Sequence, residues 1–414
     1  MTSRIAIVNA YSSANQLPAS FAARNVQVVH VQSGGHIPSM MVSTFRPGDF
    51  VDNVIHEGDM TVTCARLKQL GVRQVIAGAE YGVELAEALA DAYGCPTNSP
   101  GTTSRRRHKF DMIEALHAVG VPAAAQKLCR TPDDVQAFMT TCEGMAVVKP
   151  VGSGGSDGLH FCKNLEDAMA AFAHLHGKPN AFGQLNREVL IQEYLDGCEY
   201  YVNTMSRDGI HRVAELWQTT HISANGIYNL LDSAFILPSE GVLQDTLIQY
   251  AFRCLDALGV TDSPAHLEIR MTSRGPRLVE LGARLVGGPL SRIARQCIGH
   301  SQIELIAQAY ADKKEFLRDA GQRYRLQKCV AAVSMIAPRA GLLRSLPRLE
   351  ELTCLESFQE LIQIVKPGNW MPRTENDFTY PLMVILAHQD PAAVTRDSRT
   401  MRHIDGESFY DMAE

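Results

Sequence analysis

One stretch, Ala265 to Gly288, constrains the chain more than any other. Two short apolar runs flank Ser273-Arg274-Gly275-Pro276, four residues with turn chemistry, so the segment reads as a β-hairpin. A turn centred on Arg274 puts Glu268 directly opposite Glu280 on one face. Side chains paired in this way have Cβ atoms roughly 4.5–5.5 Å apart, and two carboxylates there repel. The pair calls for a compensating cation. Mg²⁺ is the natural one, because it takes oxygen ligands and usually shares them with substrate phosphates. Arg284 and Gly287-Gly288 follow at once, supplying a fixed positive charge and a backbone that a ligand can approach closely. The plain alternative is a surface hairpin with two solvated glutamates, so the rest of the chain has to decide between them.

The 414 residues are too many for one core, and two to four domains are expected. A net charge of −6 argues against a general nucleic-acid binder. The ten cysteines are scattered, with no C-x-x-C and no zinc spacing, which fits a reduced, cytoplasmic setting. Met1 to Val8 reads as a short strand rather than a signal peptide. No apolar run approaches the roughly 20 residues needed to span a bilayer, so no membrane association is expected.

Up to about residue 104, strands alternate with helices: Ile5–Val8, Val26–Val31 and Val72–Gly78 as strands, Met60–Leu70 and Tyr81–Tyr93 as helices. Alternation of this kind implies a parallel sheet covered on both faces. The dinucleotide fingerprint G-x-G-x-x-G is absent after the first strand, so the domain is Rossmann-like in shape without an NAD site. Gly78-Ala79-Glu80-Tyr81 falls at the C-terminal end of a strand, where open α/β sheets bind ligands, although a glutamate favouring a helix N-terminus explains it as well. Ser104 to Val119 reads as one helix with Met112, Ile113, Leu116 and Val119 as its apolar stripe and Lys109 on the same side. The run Arg105-Arg106-Arg107-His108-Lys109 is expected to be a solvated helix face.

A second informative segment follows. Ala146–Pro150 is a strand carrying Lys149. Gly152 to Gly158 is a glycine-rich loop, and Leu159–Cys162 is the returning strand. The loop joins two strands and lacks the ending of a Walker P-loop. Its backbone N–H groups can nevertheless fold over phosphates, with Lys149 at its base to neutralise them. Val189–Leu195 and the turn Asp196 to Glu199 then offer an extended backbone to a flat base edge and a carboxylate to a ribose hydroxyl. His221 is placed in a polar loop. After the opening hairpin come helices Leu290–Ile298 and Ser301–Tyr310. Strands at Cys329–Ile336, Ile362–Gly368 and Pro381–Ala387 complete the chain.

In order, these parts are a helix lysine, a strand lysine with a glycine hairpin, Gln-Glu-Tyr-Leu-x-Gly-x-Glu, and a two-glutamate hairpin with Gly-Ala-Arg-x-x-Gly-Gly. That order resembles the ATP-grasp superfamily of carboxylate–amine ligases. Within it the chain looks most like the L-amino acid ligases that form dipeptides. Gly287 to Arg292, Val365 to Gly368, Tyr380 to Leu382 and Arg396-Asp397 carry that closer likeness.

The resemblance implies an α/β and α+β chain with the ATP-grasp fold. A Rossmann-like domain of the biotin carboxylase N-terminal type would span 1–104. A central region with a mobile lid would span 105–200, a catalytic subdomain 201–325, and an α+β cap 326–414. It implies ATP with Mg²⁺, two ions in the usual pattern and Mn²⁺ as an alternative, amino acids as substrates, and a homodimer. Lys109 and Lys149 would contact the phosphates. Gly154, Gly155 and Ser156 would close over them. Gln192, Glu193, Tyr194 and Leu195 would line adenine, with Glu199 at the ribose. Glu268 and Glu280 would bind metal. Arg284, with Lys149, would serve the chemistry. One departure stands out: many ATP-grasp enzymes have a metal-binding Asn at the position that is Gly282 here, and water would have to take its place.

Overall fold

A computed structural model describes residues 3–34, 37, 39–181 and 183–413, except the side chains of Ser39 and Met40. Met1 and Thr2, part of the expected first strand, lie outside the described residues. The N-terminal strands Asn53–Ile55, Val26–Gln32, Ser3–Val8 and Val72–Ala77 lie side by side in that order, all parallel. Alternation along them feeds two cores. Ile5, Ile7 and Val28 pack on one face, and Ala6, Val8, Val29 and Val31 on the other. Apolar burial on both faces is what a parallel sheet needs, since its crossover helices cover it on both sides. The fold's Rossmann-like shape is therefore set by runs that are apolar throughout rather than alternating.

The expected single helix over Ser104–Val119 is two helices, Ser104–Arg107 and Lys109–Ala118, broken at an extended His108 (φ −106°, ψ 111°). Burial explains the break. Arg106 is fully buried, holding Glu87 through Nε (2.8 Å) and Nη2 (2.7 Å) and donating from Nη1 to the Leu258 carbonyl. On an unbroken helix Arg106 and Lys109, three apart, would share one face. The extended residue lets Arg106 point into the domain junction and Lys109 into a cavity. The basic run is therefore not a solvated face: Arg105 is exposed, Arg106 is buried and Arg107 is largely covered.

A second antiparallel sheet is ordered Gln126–Cys129, Val189–Glu193, Ala146–Pro150, His160–Cys162. Helices Pro132–Thr141 and Leu165–Leu175 cover one face of it, over Val148, Val189 and Ile191. Thr131 and Asn164 cap these helices by accepting from the N–H groups of Asp134 and Asp167. The other face turns Val147, Lys149 and Gln192 toward a cavity.

The largest sheet has eight antiparallel strands: Gly275–Gly282, Pro264–Thr272, Gly197–Arg207, Ile210–Ala224, Ile227–Ile236, Cys329–Ser334, Leu382–His388 and Phe358–Gln363. It runs without interruption across residue 326, because Ser233 to Phe235 pair with Ala331 to Val333. Helices Val242–Ala257, Leu290–Ile298 and Gln302–Ala311 pack behind it on Leu216, Leu267 and Ile269. His221 lies within the Ile210–Ala224 strand, not in a loop, since that strand runs on past its buried stretch and pairs His221 with Leu231 of the next strand. The strand expected at Ile362–Gly368 is instead Phe358–Gln363. Lys366 to Gly368 turn the chain, and Asn369 N–H donates to the Lys366 carbonyl (3.1 Å). No described helix is long and apolar enough to cross a membrane.

Candidate active site

The opening hairpin has the expected pairing for a different reason. Thr272 pairs with Gly275, so the turn is the two residues Ser273-Arg274, centred between them. Continued regularly, that register would set Val279 opposite Glu268 and send Glu280 to the core face. An irregularity between Glu268 and Ile269 in the pairing takes up Val279, and Glu268 stands opposite Glu280 after all. Such bulges re-aim side chains next to active sites. Here the bulge presents both Val279 and Glu280 to the cavity.

On the neighbouring strands the same face continues. Glu268 is opposite Tyr201, Arg270 opposite Glu199, and His266 opposite Asn203. Arg270 Nε donates to Glu199 Oε2 (2.9 Å), and its Nη1 donates to the Tyr194 hydroxyl (3.0 Å) and the Leu195 carbonyl (3.1 Å). His266 Nδ1 meets Asn203 Oδ1 (2.7 Å), and its Nε2 lies 3.4 Å from Glu268. Burial pushes the Glu268 carboxyl upward. His266, Lys109 and Arg284 outweigh that and hold it below its ordinary value.

Lys109 reaches this floor from its helix, donating to Glu280 Oε1 (2.7 Å) and to the Ser153 carbonyl (2.5 Å). Lys149 donates to Gln192 Oε1 (3.0 Å). Burial, followed by repulsion from Lys109, pulls the Lys149 ammonium down to about 8, against the attraction of Glu280, Glu268 and Glu199. Two buried cations with few anionic partners form a site that an anion would complete.

These groups enclose a cavity of about 130 Å³ that also touches Gly154, Gly155, Ser156, Glu193, Tyr194 and Leu195. One end is aromatic: Phe161 packs edge-on to Tyr194 (5.8 Å) and Tyr228 (4.8 Å). The Glu193 carboxylate turns aside, accepting from Ala125 N–H (2.9 Å) and pairing with Arg274 (2.6 Å), so only its backbone is left for a ligand. A second, mostly apolar cavity of about 390 Å³ adjoins the first and shares Glu268, Tyr201, Gly154 and Gly155 with it. Arg284, Glu80 and Gly287-Gly288 line this second space.

Residues 143–292 match the model of the ATP-grasp domain. The chain contains an ATP-grasp domain. Among curated relatives, the chain is 29% identical over 421 residues to dapdiamide A synthase of Enterobacter agglomerans, covering 98% of this chain and 96% of that protein. Among solved structures, it resembles the L-amino acid ligase from Bacillus licheniformis at a TM-score of 0.76 and 16% identity, covering 100% of this chain and 99% of that one. It also shares its fold with the biotin carboxylase domain of Hydrogenobacter thermophilus 2-oxoglutarate carboxylase, crystallised with magnesium ADP (TM-score 0.65, 11% identity, 100% and 91% covered).

The donor set of the ATP-grasp hairpin fits magnesium. Glu268 and Glu280 are opposed hard-oxygen ligands on the cavity floor, and no group of three or more His, Cys, Asp or Glu side chains that could hold a metal occurs among the described residues. Mg²⁺ is commonly bound in this way, by one or two carboxylates with the remaining oxygens from phosphates and water.

Gly282 is also accounted for. A Cβ there would lie 2.7 Å from Glu80 Oε2 and 3.0 Å from Arg284 Cζ. Glu80 accepts from Arg284 Nε (2.8 Å) and pairs with Arg107. Burial pushes its carboxyl upward, but Arg107, Arg284 and Lys109 outweigh this and hold it below the ordinary range. The space of the usual asparagine is thus taken by an ion pair that positions Arg284.

Sequence reasoning singled out Glu80 without giving it this role, and set Arg107 aside as surface. Asp377 and Phe378 were missed altogether, since they join the site only through the tertiary fold. The dense run of positive charge from Arg105 to Lys109 was the available signal for Arg107, whose partner Glu80 lies 27 residues away in the chain.

Proposed function

We propose that this protein is an ADP-forming ligase that activates the carboxylate of one amino acid and joins it to the amine of a second. ATP-dependent carboxylate–amine ligation is the chemistry of its relatives, and the match to dapdiamide A synthase extends over nearly the whole of both chains. The observation that carries the reading is the contact of two cavities at Glu268. One is lined by lysines, the glycine hairpin and an aromatic end, and the other by Arg284 and apolar side chains.

In this reading ATP occupies the first cavity. Lys109 and Lys149 bind its phosphates, and Gly154, Gly155 and Ser156 close over them. Gln192 to Leu195 line the base, and Glu199 faces the ribose. Glu268 and Glu280 would hold Mg²⁺, which when bound neutralises phosphate charge. A carboxylate oxygen in the second cavity attacks the γ-phosphorus, the bond to the β-phosphate bridging oxygen breaks, and ADP leaves. The amine nitrogen of the acceptor then adds to the acyl phosphate carbon, and inorganic phosphate departs as the amide forms and the amine loses its proton. Arg284, held by Glu80, faces the oxyanion of the tetrahedral intermediate. Charge neutralisation and positioning carry the first step. A closed glycine hairpin keeps water from the acyl phosphate.

The test is phosphate release from ATP with Mg²⁺, screened over pairs of amino acids. Release that requires two amino acids, with a dipeptide in the products, is expected. Silence with every pair would sink the reading, and release with a single carboxylate and no amine would redirect it to another carboxylate-activating ligase.

A further inference from the structure

Among the described residues, two carboxylates on the walls of the two cavities have no basic partner: Asp157, which the Ser153 hydroxyl (2.6 Å) and Ala181 N–H (2.8 Å) already satisfy, and Asp377. Glu80 has Arg107 and Arg284, Glu280 has Lys109, Glu199 has Arg270, and Glu268 has His266. Asp377 borders both cavities, beside Glu268 and Tyr201. Among the described residues its carboxylate accepts only from the Ser156 hydroxyl (3.2 Å), and the charges that act on it are the anions Glu268 and Glu199. Its surface is open to the cleft.

The carboxylate is also held in place. Thr374 exchanges hydrogen bonds with Ala337, N–H to carbonyl at 3.0 Å and N–H to hydroxyl at 2.8 Å, and its own carbonyl accepts from Asn225 Nδ2 (2.9 Å). Thr379 Oγ1 accepts from the N–H groups of Glu375 (2.8 Å) and Asn376 (3.0 Å), which fixes the loop on either side of Asp377. A pre-positioned carboxylate lacking a cation, at the seam where ATP's γ-phosphate would meet the substrate, matches a positively charged group that arrives with the substrate.

We propose that Asp377 binds the α-ammonium of the amino acid whose carboxylate is activated, and so selects amino acids over plain carboxylic acids as donors. This rests on the ligase reading above. The donor rather than the acceptor is assigned because the acceptor amine must be neutral to attack, and a fixed carboxylate favours its charged form. The donor's ammonium takes no part in bond making and gains from being held. It sits one carbon from the carboxylate, so a donor facing Arg284 and Glu268 keeps it at the seam.

The experiment uses hydroxylamine as the acceptor, so that the donor is tested alone, with ADP and hydroxamate as readouts. The amino acid that the wild-type enzyme uses best is compared with the acid lacking its α-amine (4-methylpentanoate where that donor is leucine). Asp377→Asn is expected to lower kcat/KM for the amino acid about 10- to 100-fold, the range of a charge-assisted hydrogen bond, chiefly through KM. The des-amino acid should change by less than about threefold. Ser156→Ala, which removes the contact to the glycine hairpin but keeps the carboxylate, should slow both donors alike and leave their ratio unchanged.

Equal losses for both donors in Asp377→Asn would show that the residue only latches the hairpin, and would overturn the proposal. So would a change confined to the Mg²⁺ requirement. If the wild-type enzyme forms neither ADP nor hydroxamate with any amino acid, the ligase reading falls and this inference with it. If it forms both and the donor preference survives in Asp377→Asn, only the inference falls.

Discussion

Two hairpins face each other across the cavity proposed for ATP, and they are held in opposite ways. The Glu268–Glu280 hairpin is the edge of an eight-stranded sheet, with Leu267, Ile269, Leu278 and Leu281 buried beneath it in the main core. Its carboxylates are aimed by strand register. The Gly152–Gly158 hairpin hangs from a short sheet, and its landing place is fixed from outside. Asp377 N–H donates to the Gly155 carbonyl (3.4 Å), Asp377 accepts from Ser156, and Phe378 lies over Gly155. Apolar burial makes the first rigid, while a few polar contacts and one ring let the second close and open. The rigid side therefore carries the charges that the proposed chemistry needs, and the lightly held side is the one free to move and, in that proposal, to exclude water.

The strongest way to break this contrast is to change the charge on the rigid side. Glu280→Gln keeps the shape of the side chain and the strand register but removes the anion that opposes Glu268. Turnover should fall by at least about 10³-fold, as for the loss of a group that organises charge in a phosphoryl-transfer site. The melting temperature should stay within a few degrees. Near-normal ADP release would show that the hairpin is not the metal site.

Gly282→Asn tests how the rigid side orients Arg284. The change introduces the side chain that many relatives of the superfamily carry, but here its Cβ would meet Glu80 Oε2 at 2.7 Å. One partner has to move, and the Arg284–Glu80 pair is the movable one. A loss of roughly 10²-fold in kcat is expected with ATP binding little changed. Increased activity would mean that the asparagine acts as a metal ligand here and that the ion pair is dispensable.

Much of the rigid side was legible in the sequence, because strand pairing is local. Turn residues between two apolar runs locate the hairpin, and period-two alternation assigns its faces. Even so, the correct Glu268–Glu280 pairing came with a turn centre half a residue off, and a bulge at Val279 that no local pattern announces makes up the difference. The order of motifs likewise gave the glycine hairpin and both lysines. What closes over them was not legible. Asp377 and Phe378 lie 221 residues or more from Ser156 in the chain, and a polar run such as Thr374 to Thr379 gives no sign that it docks on a distant glycine loop. The break at His108 escaped for the same reason, since it is imposed by the different burial of Arg106 and Lys109 rather than by any helix-breaking residue.

The lightly held side is sharpened by Gly155→Ala. Gly155 has φ +67°, and an added Cβ would lie 2.4 Å from the Phe378 ring. Turnover should fall by roughly tenfold through impaired closure, with little effect on the melting temperature, because the hairpin adds almost nothing to the core. Phe378→Ala in the same chain should restore part of the loss by removing the clash while the backbone strain remains. An additive double variant would show that ring and glycine do not meet in the closed enzyme.

The smallest effect is one of pH, and it tests Lys149 as the proposed phosphate lysine. In the free enzyme the Lys149 ammonium is pulled from 10.5 to about 8. Bound phosphate would raise it again, so ATP binding above pH 8 takes up a proton. Affinity should be flat below about pH 7.5 and weaken about fivefold between pH 8 and 9, as the free lysine loses the charge that ATP needs. The stability of the free enzyme should move the other way. Between about 8 and 10.5 the unfolded chain binds the Lys149 proton and the folded chain does not, so this residue adds stability as pH rises. Titrating ATP and measuring thermal unfolding over the same interval distinguishes this from general alkaline damage, which would lower both. Lys149→Arg, which stays charged throughout, should flatten the affinity profile. An unaltered slope in that variant would assign the proton to another group and remove Lys149 from the phosphates.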